Sequence, residues 1–134
     1  MFIKSKTKWF WNFPKQNYET MKIENTKAQM RKGVLEYCIL SVLKGEDKYT
    51  SEILATLKDA KMLVVEGTIY PLLTRLKNAG LLTYRWEESS SGPPRKYYGL
   101  TDTGVQFLNE LNTTWDELRN AVNLVTNSKK TNNE

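Results

Sequence analysis

Thr74, Arg75, Lys77 and Asn78 stand within five consecutive positions, and Arg95 and Lys96 sit side by side further on. Their side chains are a hydroxyl, a guanidinium, an ammonium and an amide, groups that donate hydrogen bonds and carry positive charge. Such groups suit phosphate oxygens and the edges of bases; none of them breaks bonds unaided. Tyr70 adds a phenol on the same segment, while Gly67 and Thr68 stand where a backbone can approach a ligand closely. No acidic residue lies between Thr68 and Arg85, a stretch that holds three basic ones.

Catalysis finds little support. The chain has no histidine, which excludes imidazole acid–base chemistry and the usual zinc sites. The one cysteine, Cys38, lies in an apolar run and reads as core, since a reactive thiolate needs an open, electropositive setting. Neither a phosphate-cradling glycine loop nor a dinucleotide fingerprint is present, so no catalytic residue, metal ligand or cofactor is assigned.

Charge supports a polyanionic partner on one side. Residues 1–30 hold six lysines against two glutamates, residues 31–100 carry a balance of +3, and residues 101–134 one of −2. The rival explanation is an ordinary solvated surface. No apolar run is long enough to span a membrane. The aromatic, lysine-rich start lacks the apolar core and cleavage site of a secretory signal, and with a single cysteine a cytoplasmic location is expected.

The elements that must position these residues can be read from apolar spacing. Leu35, Cys38, Ile39, Val42 and Leu43 form one face of a helix over about 27–43, stopped at Gly45. After the polar turn 47–50, Thr50 or Ser51 caps a second helix that buries Ile53, Leu54 and Leu57. Ile69, Leu72, Leu73 and Leu76 stripe a third helix over 66–79, closed by Gly80. The face opposite that stripe presents Gly67, Pro71, Thr74 and Asn78, flanked by Tyr70, Arg75 and Lys77. Leu82–Glu88 and Arg95–Leu100 then form a hairpin about a Ser-, Gly- and Pro-rich turn. Tyr84, Trp86, Tyr97 and Tyr98 read as packing residues of that ribbon rather than stacking platforms for bases.

Thr101 caps a last helix to about Val125, in which Gly104, Leu108, Leu111, Trp115, Leu118, Val122 and Val125 alternate in steps of four and three. A helix hanging from a small domain cannot bury such a seam along its whole length against its own core. Its first half is expected to pack inward and the rest to pair with a second copy. Trp115 has two readings: an interface packing residue, or the wall of an apolar cleft that takes a small planar hydrophobic effector.

The run from Gly67 to Leu76, the Gly80-Leu81-Leu82 that follows, Gly92 to Tyr98 and Leu100 to Gly104 together resemble the PadR family of transcriptional regulators, as does Arg31 to Leu40. The likeness spans about residues 28–111. It implies dimers formed through the single C-terminal helix and, often, ligand-responsive repression. By resemblance, Tyr70, Thr74, Arg75, Arg95 and Lys96 fall in the recognition helix and wing. One departure is that Val65-Glu66 replaces the family's frequent capping Ser or Asn, and Glu66 opposes phosphate nearby.

The expectation is thus a mostly helical α+β fold: a winged helix-turn-helix of three helices and a two-stranded β-wing, with a long C-terminal dimerisation helix. Residues 1–26 would form a basic, aromatic arm (unless the native start is Met21), 27–100 the DNA-binding domain, 101–126 the dimerisation helix and 127–134 a frayed tail. The expected function is sequence-specific binding of double-stranded operator DNA as a homodimeric repressor, through Gly67, Thr68, Tyr70, Thr74, Arg75, Lys77, Asn78, Arg95 and Lys96. The alternative is a winged-helix module for protein–protein assembly.

Overall fold

The computed structural model describes residues 22–128, so Met21 and most of the aromatic arm lie outside it, as does the tail beyond Ser128. Helix α1 is Ile23–Val42 and begins four residues before the expected Lys27. Its part through Val34 belongs to one compact unit and carries an exposed Glu24–Lys27 ion pair at 3.6 Å. The second unit starts at Leu35 and contains everything that follows.

Within that second unit the order is β1 (Lys48–Tyr49), α2 (Thr50–Asp59), α3 (Glu66–Asn78), β2 (Leu82–Ser89), β3 (Gly92–Leu100) and α4 (Asp102–Asn127). Burial of the apolar stripes drives the assembly: Leu35, Ile39, Leu40 and Leu43 meet Ile53 and Leu57 of α2 and Ile69, Leu73 and Leu76 of α3. Leu81, Leu82, Tyr98 and Leu108 close the core from the sheet and α4. Leu40 replaces Cys38 and Val42 at the centre; those two pack at its edge, half-buried, as do Leu54 and Leu72. Burial pushes the Cys38 thiol above its ordinary pKa, which keeps it protonated and a poor nucleophile.

The wing has a third strand that the sequence hid. β1 pairs antiparallel with β3, Lys48 opposite Tyr98 and Tyr49 opposite Tyr97, giving the sheet order β1-β3-β2. Two residues are too few to show alternation, and they are strand only because β3 lies beside them. β3 also starts earlier than expected, at Gly92, and runs through Pro93 and Pro94. Two consecutive prolines are tolerated there because β1 reaches only Tyr97 and Tyr98 on one side, while on the other the β2 ladder is interrupted between Arg95 and Gly92. A register shift between Glu87 and Ser89 bends the ribbon near its tip.

Helix ends fix how the elements meet. Tyr49, rather than Thr50 or Ser51, is the N-cap of α2, and Glu52 accepts from its backbone N–H at 3.2 Å. α3 closes on Gly80 at φ +79°, with the Leu81 N–H donating to the Leu76 carbonyl and the Gly80 N–H to that of Lys77. α2 closes by the same pair of bonds, but there the left-handed residue is Lys61 at φ 65°. The Thr101 hydroxyl donates to the Gly80 carbonyl at 2.6 Å and accepts from the Gly104 N–H at 3.0 Å, pinning the start of α4 to the end of α3.

Gly104 explains itself differently from the heptad seam in which it was counted. A Cβ there would run into the Leu81 carbonyl, so it is a point of close backbone approach. Leu108 is buried and Leu111 half-buried, whereas Trp115, Leu118, Val122 and Val125 are 37, 50, 49 and 74% exposed. The Tyr37 hydroxyl donates to Asn112 at 2.6 Å, and the Tyr37 and Trp115 rings lie 6.4 Å apart, so α1 holds α4 as far as Trp115. Beyond that point the apolar stripe has no cover among the described residues. No helix among the described residues is long and apolar enough to cross a membrane.

Candidate nucleic-acid interface

The helix-turn-helix pair α2 and α3 and the β2–β3 ribbon enclose an open cleft of about 430 Å³. Tyr49, Thr50 and Ser51 line it from the start of α2, and Glu66, Tyr70 and Thr74 from successive turns of α3. Trp86, Pro94, Arg95 and Lys96 line it from the wing. Spacing of four residues puts Glu66, Tyr70 and Thr74 on one line of the helix surface. The start of the first helix, the exposed face of the second and the wing thus open onto one concave surface, as docking of this motif on a duplex requires.

The cations of this surface are held by aromatic faces. The Arg95 guanidinium lies 4.4 Å from the centre of the Tyr49 ring, which in turn meets Tyr97 edge-on at 4.5 Å. The Lys96 ammonium lies 4.5 Å from the Tyr84 ring and 5.5 Å from Trp86, and the Lys77 ammonium 5.5 Å from the same Tyr84 ring. Tyr84 therefore gathers one cation from α3 and one from the wing, concentrating positive charge where the two meet. Trp86 is 62% exposed, which departs from its expected packing role; Tyr98 fulfils that role, buried and with its phenol pKa raised by burial.

Not every candidate faces the cleft. Tyr70, Thr74, Arg95 and Lys96 come together there, with Lys77 beside them. Gly67, Thr68 and Asn78 are exposed on α3 outside its lining. Arg75 lies on the other flank of the helix, where its guanidinium pairs with Glu36 of α1 at 3.2 Å. Tyr49, Thr50, Ser51 and Pro94 escaped the sequence reading as site residues. They could be placed only once β1 was seen to bring the start of α2 against the wing.

Three helices, a β-ribbon wing and a cation-lined cleft between recognition helix and wing define a DNA-binding winged helix. The PadR-like transcriptional regulator family matches residues 39–110. A PadR-like transcription factor from Bacteroides fragilis is 58% identical, with 75% of this chain and 98% of that one covered and a TM-score of 0.64. A PadR family regulator from Eggerthella lenta is 31% identical, covering 81% of this chain and 95% of that one at a TM-score of 0.73. Bacillus subtilis PadR, solved in complex with operator DNA, is 30% identical over 58% of this chain and 46% of that one, with a TM-score of 0.55. The chain belongs to the PadR family, whose members are transcriptional regulators and not enzymes.

Proposed function

We propose that this protein is a homodimeric repressor that binds operator DNA through the α3–wing cleft and pairs through the exposed half of α4. The observation that carries the DNA contact is the convergence of Tyr70, Thr74, Arg95 and Lys96 on one concave surface, with Lys77 beside it. The operator complex of Bacillus subtilis PadR supports the same partner here. On this proposal α3 lies in the major groove, with Gly67 and Thr68 giving close approach at its start and Thr74, Arg75 and Asn78 meeting base edges or phosphates. Lys77 takes a backbone position, Tyr70 lines the cleft between helix and wing, and Arg95 and Lys96 lay the wing along phosphates. Residues 27–100 act as the DNA-binding domain and 101–126 as the dimerisation helix, working where the DNA is, in the cytoplasm.

Dimerisation follows from the apolar seam. Trp115, Leu118, Val122 and Val125 leave a stripe in water along the last turns of a 26-residue helix, and a second copy buries it most simply. A two-fold axis there would place two recognition helices on successive turns of a duplex. An effector that inserts beside Trp115, flat and hydrophobic, would alter the angle between the subunits and so release the operator. Repression follows from occupancy of a promoter and is lost with it.

Operator selection tests the proposal: purified protein enriches duplexes from a randomised pool, and its affinity is followed with salt. A two-fold symmetric site bound with a steep salt slope supports it. A surface that binds a protein partner and enriches no sequence supports the alternative, an assembly module.

A further inference from the structure

We propose that Glu66 is a specificity-determining residue that reads a cytosine in each half-site, with Tyr70 as its positioning residue. The assignment rests on the DNA-binding role proposed above. Glu66 is the first residue of α3, and its side chain lines the cleft that also holds Arg95 and Lys96. None of the ion pairs among the described residues involves it. Its hydrogen-bond partner is the Tyr70 hydroxyl one turn on, which donates to Oε1 at 3.1 Å.

A carboxylate on a surface that meets phosphates is repelled by them, so it must face a donor. The donors that a duplex offers in its major groove are the exocyclic amines of cytosine and adenine. Adenine sets an acceptor, N7, beside its amine, which an acceptor-only carboxylate cannot satisfy; cytosine offers its amine without one, so the carboxylate selects cytosine. Residues at the start of a recognition helix reach base edges, and Glu66 holds that place. Tyr70 fixes the rotamer through that hydrogen bond, which also raises its phenol pKa. One carboxylate oxygen is engaged by Tyr70 and the other is left for the base. The plain structural role, an acid stabilising the dipole at a helix start, predicts a change in stability and none in base preference.

The test is operator selection with the parent, Glu66→Gln, Glu66→Ala and Tyr70→Phe, each checked for an intact melting transition. The parent is expected to prefer cytosine at one position per half-site by about tenfold. Glu66→Gln moves that preference to adenine, whose N7 and N6 match an amide, and leaves the other positions alone. Glu66→Ala removes the preference, and Tyr70→Phe weakens it at that position only. If the parent selects an operator and both Glu66 variants select the same one with equal preference everywhere, the inference is overturned and the carboxylate serves the helix alone. If the parent itself selects no sequence, the DNA-binding proposal fails first and this inference with it.

Discussion

The guanidinium of Arg75 lies 3.2 Å from the carboxylate of Glu36, on the flank of α3 turned away from the wing. Arg75 is largely exposed, so the pair contributes at most about 1 kcal/mol to stability. On the proposed DNA-binding role it matters more for binding, because Glu36 would compete with DNA for the same cation. Glu36→Gln should strengthen operator binding a few-fold at low salt with little change in melting temperature. Arg75→Ala should weaken it by roughly 1–3 kcal/mol if the side chain reaches a base. Titrations of both variants against one labelled operator decide the matter; equal affinity in all three proteins would remove Arg75 from the interface.

Arg95 and Lys96 should act without regard to sequence. Each is preset by a ring, Tyr49 and Tyr84 respectively, so little side-chain freedom is lost when a phosphate arrives. Replacing both with Ala should weaken selected and random duplexes alike and flatten the slope of log affinity against log salt by about two. A loss confined to the selected operator would mean that the wing reads bases.

Leu118→Asp should yield a monomer. Leu118 is half-exposed and outside the core, so an aspartate there leaves the fold intact while placing an unpaired charge in the seam proposed to pair. Leu111→Asp is the less clean probe, because Leu111 also packs on the core and its loss damages the subunit itself. Sedimentation velocity should show the parent as a dimer at micromolar concentration and Leu118→Asp as a folded monomer with weakened operator binding. A parent that sediments as a monomer would sink the dimer proposal.

Trp115 can be tested as an effector wall by its own fluorescence. With Trp9, Trp11 and Trp86 changed to Phe, the remaining indole reports on the end of the Tyr37–Asn112 attachment. Saturable quenching by a planar aromatic compound, accompanied by release of operator, is the expected outcome. Absence of quenching across a broad panel with an intact dimer would leave Trp115 as interface packing.

Much of the fold was legible because helices advertise themselves through apolar spacing. Ile69, Leu73 and Leu76 are buried where the stripe predicted, and Thr101 caps α4 as expected. What stayed hidden was set by contacts distant in sequence. Lys48–Tyr49 is a strand only through Tyr97 and Tyr98, and without it the place of Tyr49 under Arg95 could not be known. Trp86 has the composition of a packing residue, and only its register opposite Lys96 turns it toward the cleft. Gly104 fell on the heptad by count, while its role is contact with the Leu81 backbone, which no periodicity encodes.

Lys61 offers a test of the fold alone. At φ 65° it holds the left-handed position that closes α2, a conformation that costs a residue with a Cβ roughly 1–2 kcal/mol. Lys61→Gly should stabilise the protein by about 1 kcal/mol and raise its melting temperature by about 4 °C. Gly80→Ala, at the equivalent place after α3, should destabilise by a comparable amount. Thermal unfolding checks both, and an unchanged transition for Lys61→Gly would show that the α2 end is not strained in solution.

The most direct measurement of the central claim is enrichment of a randomised duplex pool by the purified protein, followed by salt-dependent titration of the best site. The account requires two half-sites related by two-fold symmetry, with centres one duplex turn apart, about 34–36 Å, and an affinity that falls steeply with salt. A pool that stays random after repeated rounds, or binding equal for all sequences, would contradict it.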